Sequence, residues 1–175
     1  MPKALYGRSY QDGASLIVAL VMLAVLMLMG VSAYVVSTNQ FRMAANLQYQ
    51  NVALANAESA LATAENWIAA NYNHPGFITR TPGGLYPTGT APDPLTMTWD
   101  DSTSIKVDPS GSQRFMIELL AADRVLPSNS VGNCNVYGQS GPCPRVNVYR
   151  LTARGTSVLG TTKFVQSVFA VRINI

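Results

Sequence analysis

An unbroken stretch of uncharged residues, from Ala14 to Phe41, constrains this chain more than any other feature. It holds 28 residues between Asp12 and Arg42, mostly Leu, Val, Ala and Met, and has no polar face. As a helix it would extend roughly 40 Å, which exceeds the ~30 Å hydrocarbon core of a bilayer. A chain of 175 residues offers too small a core to bury such a helix on all sides. The stretch therefore predicts a membrane segment.

The leader in front of this stretch leaves three processing patterns open. Residues 1–13 carry two basic side chains and end in Gly13, and basic residues keep that end in the cytoplasm. The segment could remain uncut as a signal anchor, or it could be cut after Ala33, where small residues stand at suitable positions. In the third pattern the cut falls on the cytoplasmic side, between Gly13 and Ala14. That cut would leave the apolar segment as the mature N-terminus.

An apolar stripe continues the helical pattern beyond the membrane segment. It repeats every seven residues, and neither Pro nor Gly interrupts residues 31–73. The positions between are rich in Ala, which favours a helix, and in polar residues, which can face water. We therefore expect one helix over residues 15–70 and a head domain packed on its second half. The residues predicted to form that packing face are Leu47, Leu54, Leu61 and Ile68.

The residues after the helix predict a small α+β head. Asn, Pro and Gly end the helix near residues 71–76, and residues 72–112 have the composition of a long irregular connector with at most a short strand at 95–99. Strand-like runs follow, the last two joined by a hairpin connection at 155–160. The runs cover residues 114–120, 145–154 and 163–175. We expect a small C-terminal antiparallel sheet, within residues 113–175, packed on the long N-terminal helix.

The first third of the chain, residues 8–68, resembles the N-terminus of type IV prepilins, and most closely that of minor pilins of the PilX type. The resemblance rests on a basic leader ending in Gly13, the opening ASLIVAL from Ala14, and the run ALANAESALATAE at 53–65. In that family a prepilin peptidase cuts after the glycine and methylates the new N-terminus, here Ala14. Most of its members carry glutamate at the fifth mature position, where the amine of a neighbouring subunit matches it within the membrane. This chain has Val18 at that position.

The resemblance implies a non-catalytic minor pilin that joins the assembly-priming or tip complex of a type IV pilus. Its partners would be other minor and major pilins, the prepilin peptidase, the assembly platform and a tip adhesin, in a system that serves cell adhesion and twitching motility. Before assembly the protein would lie in the inner membrane, with a cytoplasmic N-terminus and a periplasmic head, and afterwards in the pilus at the cell surface. The parts implied are a cleaved leader (1–13), a transmembrane half-helix (14–41), an amphipathic half-helix (42–71) and a head (72–175).

Two alternatives share many of these features. A minor pseudopilin of a type II secretion system would have the same leader, helix and head. A membrane-anchored or secreted binding domain or enzyme would use the head alone.

The two cysteines, Cys134 and Cys143, predict a structural disulfide. Eight residues separate them, which matches no usual zinc spacing, and the proposed topology places both in an oxidising compartment. The Gly and Pro residues between them let the chain fold back on itself. Closing so short a loop is worth roughly 2–3 kcal/mol in the chain-entropy model.

The remaining titratable residues form no recognisable reactive site. His74, the only histidine, follows the helix end without a nucleophile motif and is expected at the surface of a loop. Glu58 and Glu65 would lie about 10 Å apart on one helix, which does not suit an acid–base pair. An aspartate- and serine-rich loop lacks the spacing of a calcium site, so we expect no metal and no cofactor. Its carboxylates are Asp100, Asp101 and Asp108.

The charge of the chain gives no signal for nucleic-acid binding. The formal net charge is +3, and no basic run follows the leader. DNA capture at a pilus tip remains an alternative only because three arginines lie on the strand-like runs, two of them on one face. They are Arg145, Arg150 and Arg154.

Overall fold

The computed structural model describes residues 14–125 and 145–173. Gly13 and both cysteines lie outside these residues. The described part contains helix α1 (Ala14–Asn71), a 3₁₀ turn (Pro75–Phe77) and a sheet. The strands of the sheet are β1 (Leu85–Tyr86), β2 (Ile105–Lys106), β3 (Gln113–Val125), β4 (Arg145–Thr156) and β5 (Thr162–Ile173). The chain divides into two compact units, one up to Asn46 and one from Leu47 onwards.

The first unit, in its described part, is the apolar half of α1. Its large apolar side chains are exposed along its length. Two hydroxyl groups are satisfied within the helix: Ser32 Oγ donates to the Leu28 carbonyl oxygen at 2.8 Å, and Thr38 Oγ1 to that of Tyr34 at 2.9 Å. Hydrogen bonds of this kind are internal to the helix, as a hydrocarbon environment requires.

The second unit contains the rest of α1 and the sheet, whose strand order is β1-β3-β4-β5 with β2 also paired to β3. Strands β3, β4 and β5 are antiparallel, and β4 and β5 stay in register from Arg145↔Ile173 to Thr156↔Thr162. Strand β1 is parallel to β3 and β2 antiparallel to it, so the sheet is mixed at that side. The α+β fold predicted from the sequence, a long N-terminal helix with a C-terminal sheet, is confirmed.

The face of α1 that covers the sheet consists mainly of alanines. Its fully buried residues are Ala53, Ala57, Ala60, Ala64 and Ile68. Leu47 and Leu54 are 54% and 40% exposed, so the prediction that they carry the head is wrong. Of the other two predicted residues, Ile68 lies in the core and Leu61 packs against it.

The close approach of β4 to the helix explains the alanine face. A Cβ atom on Gly155 would overlap the carbonyl oxygen of Ala53 and the amide nitrogen of Ala57. Strand and helix backbones therefore touch here, and leucine side chains would not fit between them. A strict seven-residue spacing also drifts by about 20° per heptad around a straight helix. Leucines two or three heptads from Ile68 consequently leave the face that it occupies.

Aromatic side chains fill the core where α1 ends. The Phe77 ring lies 5.0 Å from that of Tyr149 and 6.5 Å from that of Trp67, centroid to centroid. Tyr149 Oη donates to the Tyr72 carbonyl oxygen at 2.7 Å, which satisfies an acceptor just beyond the last helical turn. Burial raises the pKa of Tyr149, so its hydroxyl stays protonated as this contact requires. The aromatic cluster thus fixes the direction in which the chain leaves the helix.

The connector at 72–112 is more structured than the sequence suggests. The strand expected at 95–99 is not formed; that segment makes turns, and β1 and β2 add to the edge of β3 instead. Tyr86 is buried and its hydroxyl donates to the Thr103 carbonyl oxygen at 2.8 Å. The connector also partly covers the sheet face opposite α1, where Arg114 and Glu118 are buried and bonded to it.

Candidate assembly surfaces

The N-terminal end of α1 contains the residues to which the sequence resemblance assigns processing and assembly roles. Ala14 is the first residue of the helix, and Val18 lies one turn further on with 58% of its surface exposed. The first helical turn contains no acidic residue. Gly13 lies outside the described residues, so cleavage after it stays a prediction. The exposed start of the helix is therefore apolar at the position where pilins usually carry glutamate.

Most of the exposed large apolar side chains in the described residues lie on the apolar half of α1. An 18-residue window within it reaches a mean hydropathy of 2.8, and none of that window is buried. By length and composition it could cross a membrane. Soluble proteins rarely expose so much apolar surface without a membrane or partner to cover it. Its large exposed residues include Leu16, Ile17, Leu20, Met22, Leu26, Leu28, Met29, Val31 and Tyr34.

The arginines considered for DNA binding are largely engaged within the head. Arg150 pairs with the buried Glu118, and Arg145 pairs with Asp123. The guanidinium of Arg154 lies 6.0 Å from the centre of the Trp99 ring. Burial, with the nearby charge of a second arginine, lowers the pKa of Arg154. These side chains do not form an open basic patch on the described surface.

Each aspartate of the polar loop has a structural partner. Asp100 Oδ1 accepts from the amides of Ser102 and Thr103, which makes a local turn. Asp101 Oδ1 lies 2.6 Å from Arg114 Nη2, and the hydrogen bond from that guanidinium lowers the pKa of Asp101. Within the described ranges, no group of three or more His, Cys, Asp or Glu side chains is placed to hold a metal ion.

His74 serves the turn that follows α1. Its Nδ1 accepts from the Gly76 amide at 3.1 Å, and its ring lies 5.8 Å from that of Trp67. The histidine therefore caps the 3₁₀ turn. In the part of the chain that the structure covers, neither Glu58 nor Glu65 forms an ion pair.

The structure contains a polar link between helix and sheet that the sequence does not predict. Asn56 Nδ2 donates to the Thr156 carbonyl oxygen at 2.9 Å, and Gln113 Nε2 donates to Asn56 Oδ1 at 3.2 Å. Together with Gly155, these residues hold the β4–β5 hairpin against α1 at the end next to its turn. The sequence indicates only a turn at Gly155, because nothing in a single sequence reports the approach of a distant backbone.

A cavity of about 450 Å³ opens beside this link, between α1 and the turn at 110–112. The hydroxyls of Thr156 and Ser157 at its wall are buried and have no hydrogen-bond partner among the described residues. Arg154 also lines the cavity, but no histidine or carboxylate does. The cavity lacks the paired nucleophile and base of a hydrolytic site.

The fold and the exposed helix define an α+β protein with an N-terminal apolar helix of membrane-spanning length. Residues 12–62 match the family model described as PilX N-terminal. Over that segment the chain is similar to the N-terminus of PilX-type minor pilins, and the resemblance found in the sequence is confirmed there. Neither the comparison with curated proteins nor that with solved structures gives a match.

Proposed function

We propose that this protein is a non-catalytic minor pilin, processed between Gly13 and Ala14, that joins the priming or tip complex of a type IV pilus. The observation that carries the proposal is the match of residues 12–62 to the PilX N-terminal model, a segment that contains an apolar helix with exposed side chains along its length. Such a helix is suited to the inner membrane before assembly and to contacts with other pilins afterwards. The head would stand in the periplasm and later at the cell surface.

The proposed place near the filament tip rests on Val18. A carboxylate in lipid costs at least about 2.5–3.5 kcal/mol at the bilayer centre, so the glutamate of an ordinary pilin gains by meeting the amine of a neighbouring subunit. A subunit with no neighbour beyond it has no amine to meet. An apolar residue avoids an unpaired charge there, and Val18 is apolar and exposed. Its own Ala14 amine would remain available to the glutamate of the next subunit.

A minor pseudopilin of a type II secretion system is the main alternative, because that system uses the same kind of N-terminus and helix. Deleting the gene distinguishes the two. A minor pilin is needed for surface pili and for twitching motility, whereas a pseudopilin is needed for the secretion of folded proteins. Normal numbers of pili together with a secretion defect would favour the alternative.

The position in the filament is tested by labelling. Gold-labelled antibody against the head should mark filament ends in cells that express the full-length protein, and cells without it should make few pili. Uniform labelling along the shaft would contradict the tip position while leaving the assignment as a pilin intact. Val18→Glu provides the matched variant, since it restores the usual carboxylate. If the tip position is correct, this variant should support fewer pili than the native protein.

A further inference from the structure

The outer edge of β5 is a long edge with no strand beside it in the described part of the chain. Strand β5 is the last in the order β1-β3-β4-β5. All of its residues, from Thr162 to Ile173, pair with β4 without a register shift. The strand contains neither Pro nor Gly. An edge of this length and regularity is a template for another strand unless something covers it.

The hairpin fixes which backbone groups face this edge. The Ser157 amide donates to the Thr161 carbonyl oxygen at 2.9 Å, so these two residues form the hydrogen-bonded pair next to the loop. Hydrogen-bonded and non-hydrogen-bonded pairs alternate along an antiparallel ladder. The odd-numbered residues of β5 therefore bond to β4, and the even-numbered residues direct their N–H and C=O groups outward. The outward groups belong to Thr162, Phe164, Gln166, Val168, Ala170 and Arg172.

The side chains along β5 do little to protect the edge. Proteins usually place charges, prolines or bulges along exposed edges to prevent pairing. Here the charges stand only near the ends, at Lys163 and Arg172, and the eight residues between them are uncharged. Val168, at the centre, is 63% exposed on the face opposite α1. The middle of the edge is therefore open to a neighbouring strand.

We propose that the β5 edge binds an extended strand from a different subunit, with a carboxylate near each of its ends. Outward N–H and C=O groups would supply the binding, as in other cases of β-strand addition. The carboxylates would pair with Lys163 and Arg172, the only charged side chains on the strand. That the strand comes from a pilus subunit rests on the proposed function, whereas the pairing itself rests on the edge.

A second copy of this chain is a poorer occupant. Antiparallel pairing of two β5 edges would bring four basic side chains and no carboxylate into the joint. Lys163 of one copy would lie at the same end as Arg172 of the other. The two side chains would project from opposite faces of the joined sheet, so they would not touch, but no carboxylate would neutralise the charges at either end. The edge thus favours an acidic strand over its own sequence.

Photo-crosslinking in cells tests the pairing. Benzoyl-phenylalanine replaces Ala170 in the full-length protein, and the adducts are identified by mass spectrometry. The expected adduct is an uncharged extended segment of a different subunit with acidic residues at both ends. Val168→Pro removes one outward donor, and edge strands tolerate proline, so this variant should reduce the adduct at least tenfold. Val168→Thr keeps the donor and should leave the adduct unchanged.

The control measurement is the thermal melt of Val168→Pro, which should match that of the native protein. If the melt is lowered, Ala170→Pro with the crosslinker at position 168 takes its place. The inference is overturned by the absence of an adduct, by an adduct equally strong with either proline, or by an adduct to another copy or to residues 126–144 of the same chain. An adduct in cells whose pili lack the protein would refute the proposed function and leave the pairing intact.

Discussion

Two single residues have a large effect on the packing of the head. Asp108 closes a turn with its carboxylate, and Gly155 lets a strand approach the helix because it has no side chain. Asp108 Oδ1 accepts from the Gln113 amide at 2.7 Å, and its other oxygen accepts from the hydroxyls of Ser110 and Ser112. The carboxylate thereby closes the turn that leads into β3. Partial burial alone would raise the pKa of Asp108, but these hydrogen bonds outweigh it and lower the pKa to about 2.

The stability of the head should therefore depend on Asp108 in acid. Because the folded state lowers its pKa from the ordinary 3.8, the ionised form stabilises the fold fully above about pH 4. That contribution is lost as the pH falls through about 2. We expect Asp108→Asn to be less stable than the native protein at neutral pH. The variant should also lose less melting temperature between pH 4 and pH 2.

Thermal melts of full-length protein in detergent, recorded across that range, check this prediction. Asp93→Asn is the matched control, because Asp93 lies in the same connector without such a set of hydroxyl donors to both oxygens. An equal acid-induced loss of melting temperature in Asp108→Asn and the native protein would contradict the role of this carboxylate.

Gly155 should not tolerate a side chain. Alanine there would place a methyl group against the backbone of Ala53 and Ala57, and overpacking of this kind costs about 1–3 kcal/mol or more. We expect Gly155→Ala to lower the melting temperature of the head by several degrees. Gly30→Ala is the control, since nothing lies within 4 Å of its added methyl group. Equal melts for the two variants would show that helix and strand do not touch at Gly155.

Among the elements, α1 shows most clearly which structural features can be predicted from the sequence and which cannot. Its length and its apolar first half follow from composition and from the lack of Pro and Gly, so both were predicted closely. The face that packs on the sheet was predicted only in part: Ile68 and Leu61 lie in or against the core, but alanines take the place expected for Leu47 and Leu54. Hydrophobicity favours the larger side chain, but the distance between strand and helix decides the size that fits. That distance depends on Gly155, which is about one hundred residues away in the chain.

Burial of the alanine face gives a direct test at the scale of this element. Ala60 is fully buried, whereas Ala62, two residues on, is exposed. An aspartate in place of Ala60 would bury an unpaired charge and should cost several kcal/mol. Ala62→Asp, with the same helix propensity and the same charge, should be nearly neutral. The comparison is made by thermal melts of the full-length variants, and equal losses would mean that another face carries the head.

The connector and the sheet also contain features that depend on tertiary contacts and therefore cannot be read from the sequence. Alternating runs placed β4 and β5 correctly to within a few residues, because half-buried strands repeat with period two. An apolar run located the start of β3, but that strand continues to Val125, beyond the predicted end at residue 120. The two-residue strands β1 and β2 carry no such pattern, and their pairing with β3 depends on tertiary contacts such as that of Tyr86 with Thr103. The asparagine that links helix and sheet, Asn56, likewise looks like an ordinary solvated position in the sequence.

On the scale of the whole molecule, the proposed topology predicts that Cys134 and Cys143 are oxidised to each other. Protein taken from the cell surface without reductant should therefore contain no free thiol. Cys134→Ser should lower head stability by a few kcal/mol at most, with membrane insertion unchanged. Thiol labelling followed by mass spectrometry makes the measurement. Free thiols in surface protein would contradict an oxidising location for the head.

The central claim is that the chain is a processed pilin, and the mass of its mature N-terminus tests that claim most directly. Full-length protein extracted from the membrane fraction of its own cells is digested, and its N-terminal peptide is sequenced by mass spectrometry. The account predicts a chain that begins at Ala14, lacks thirteen residues and carries one methyl group on its α-amine. A chain that begins at Tyr34, or that retains residues 1–13, would contradict it.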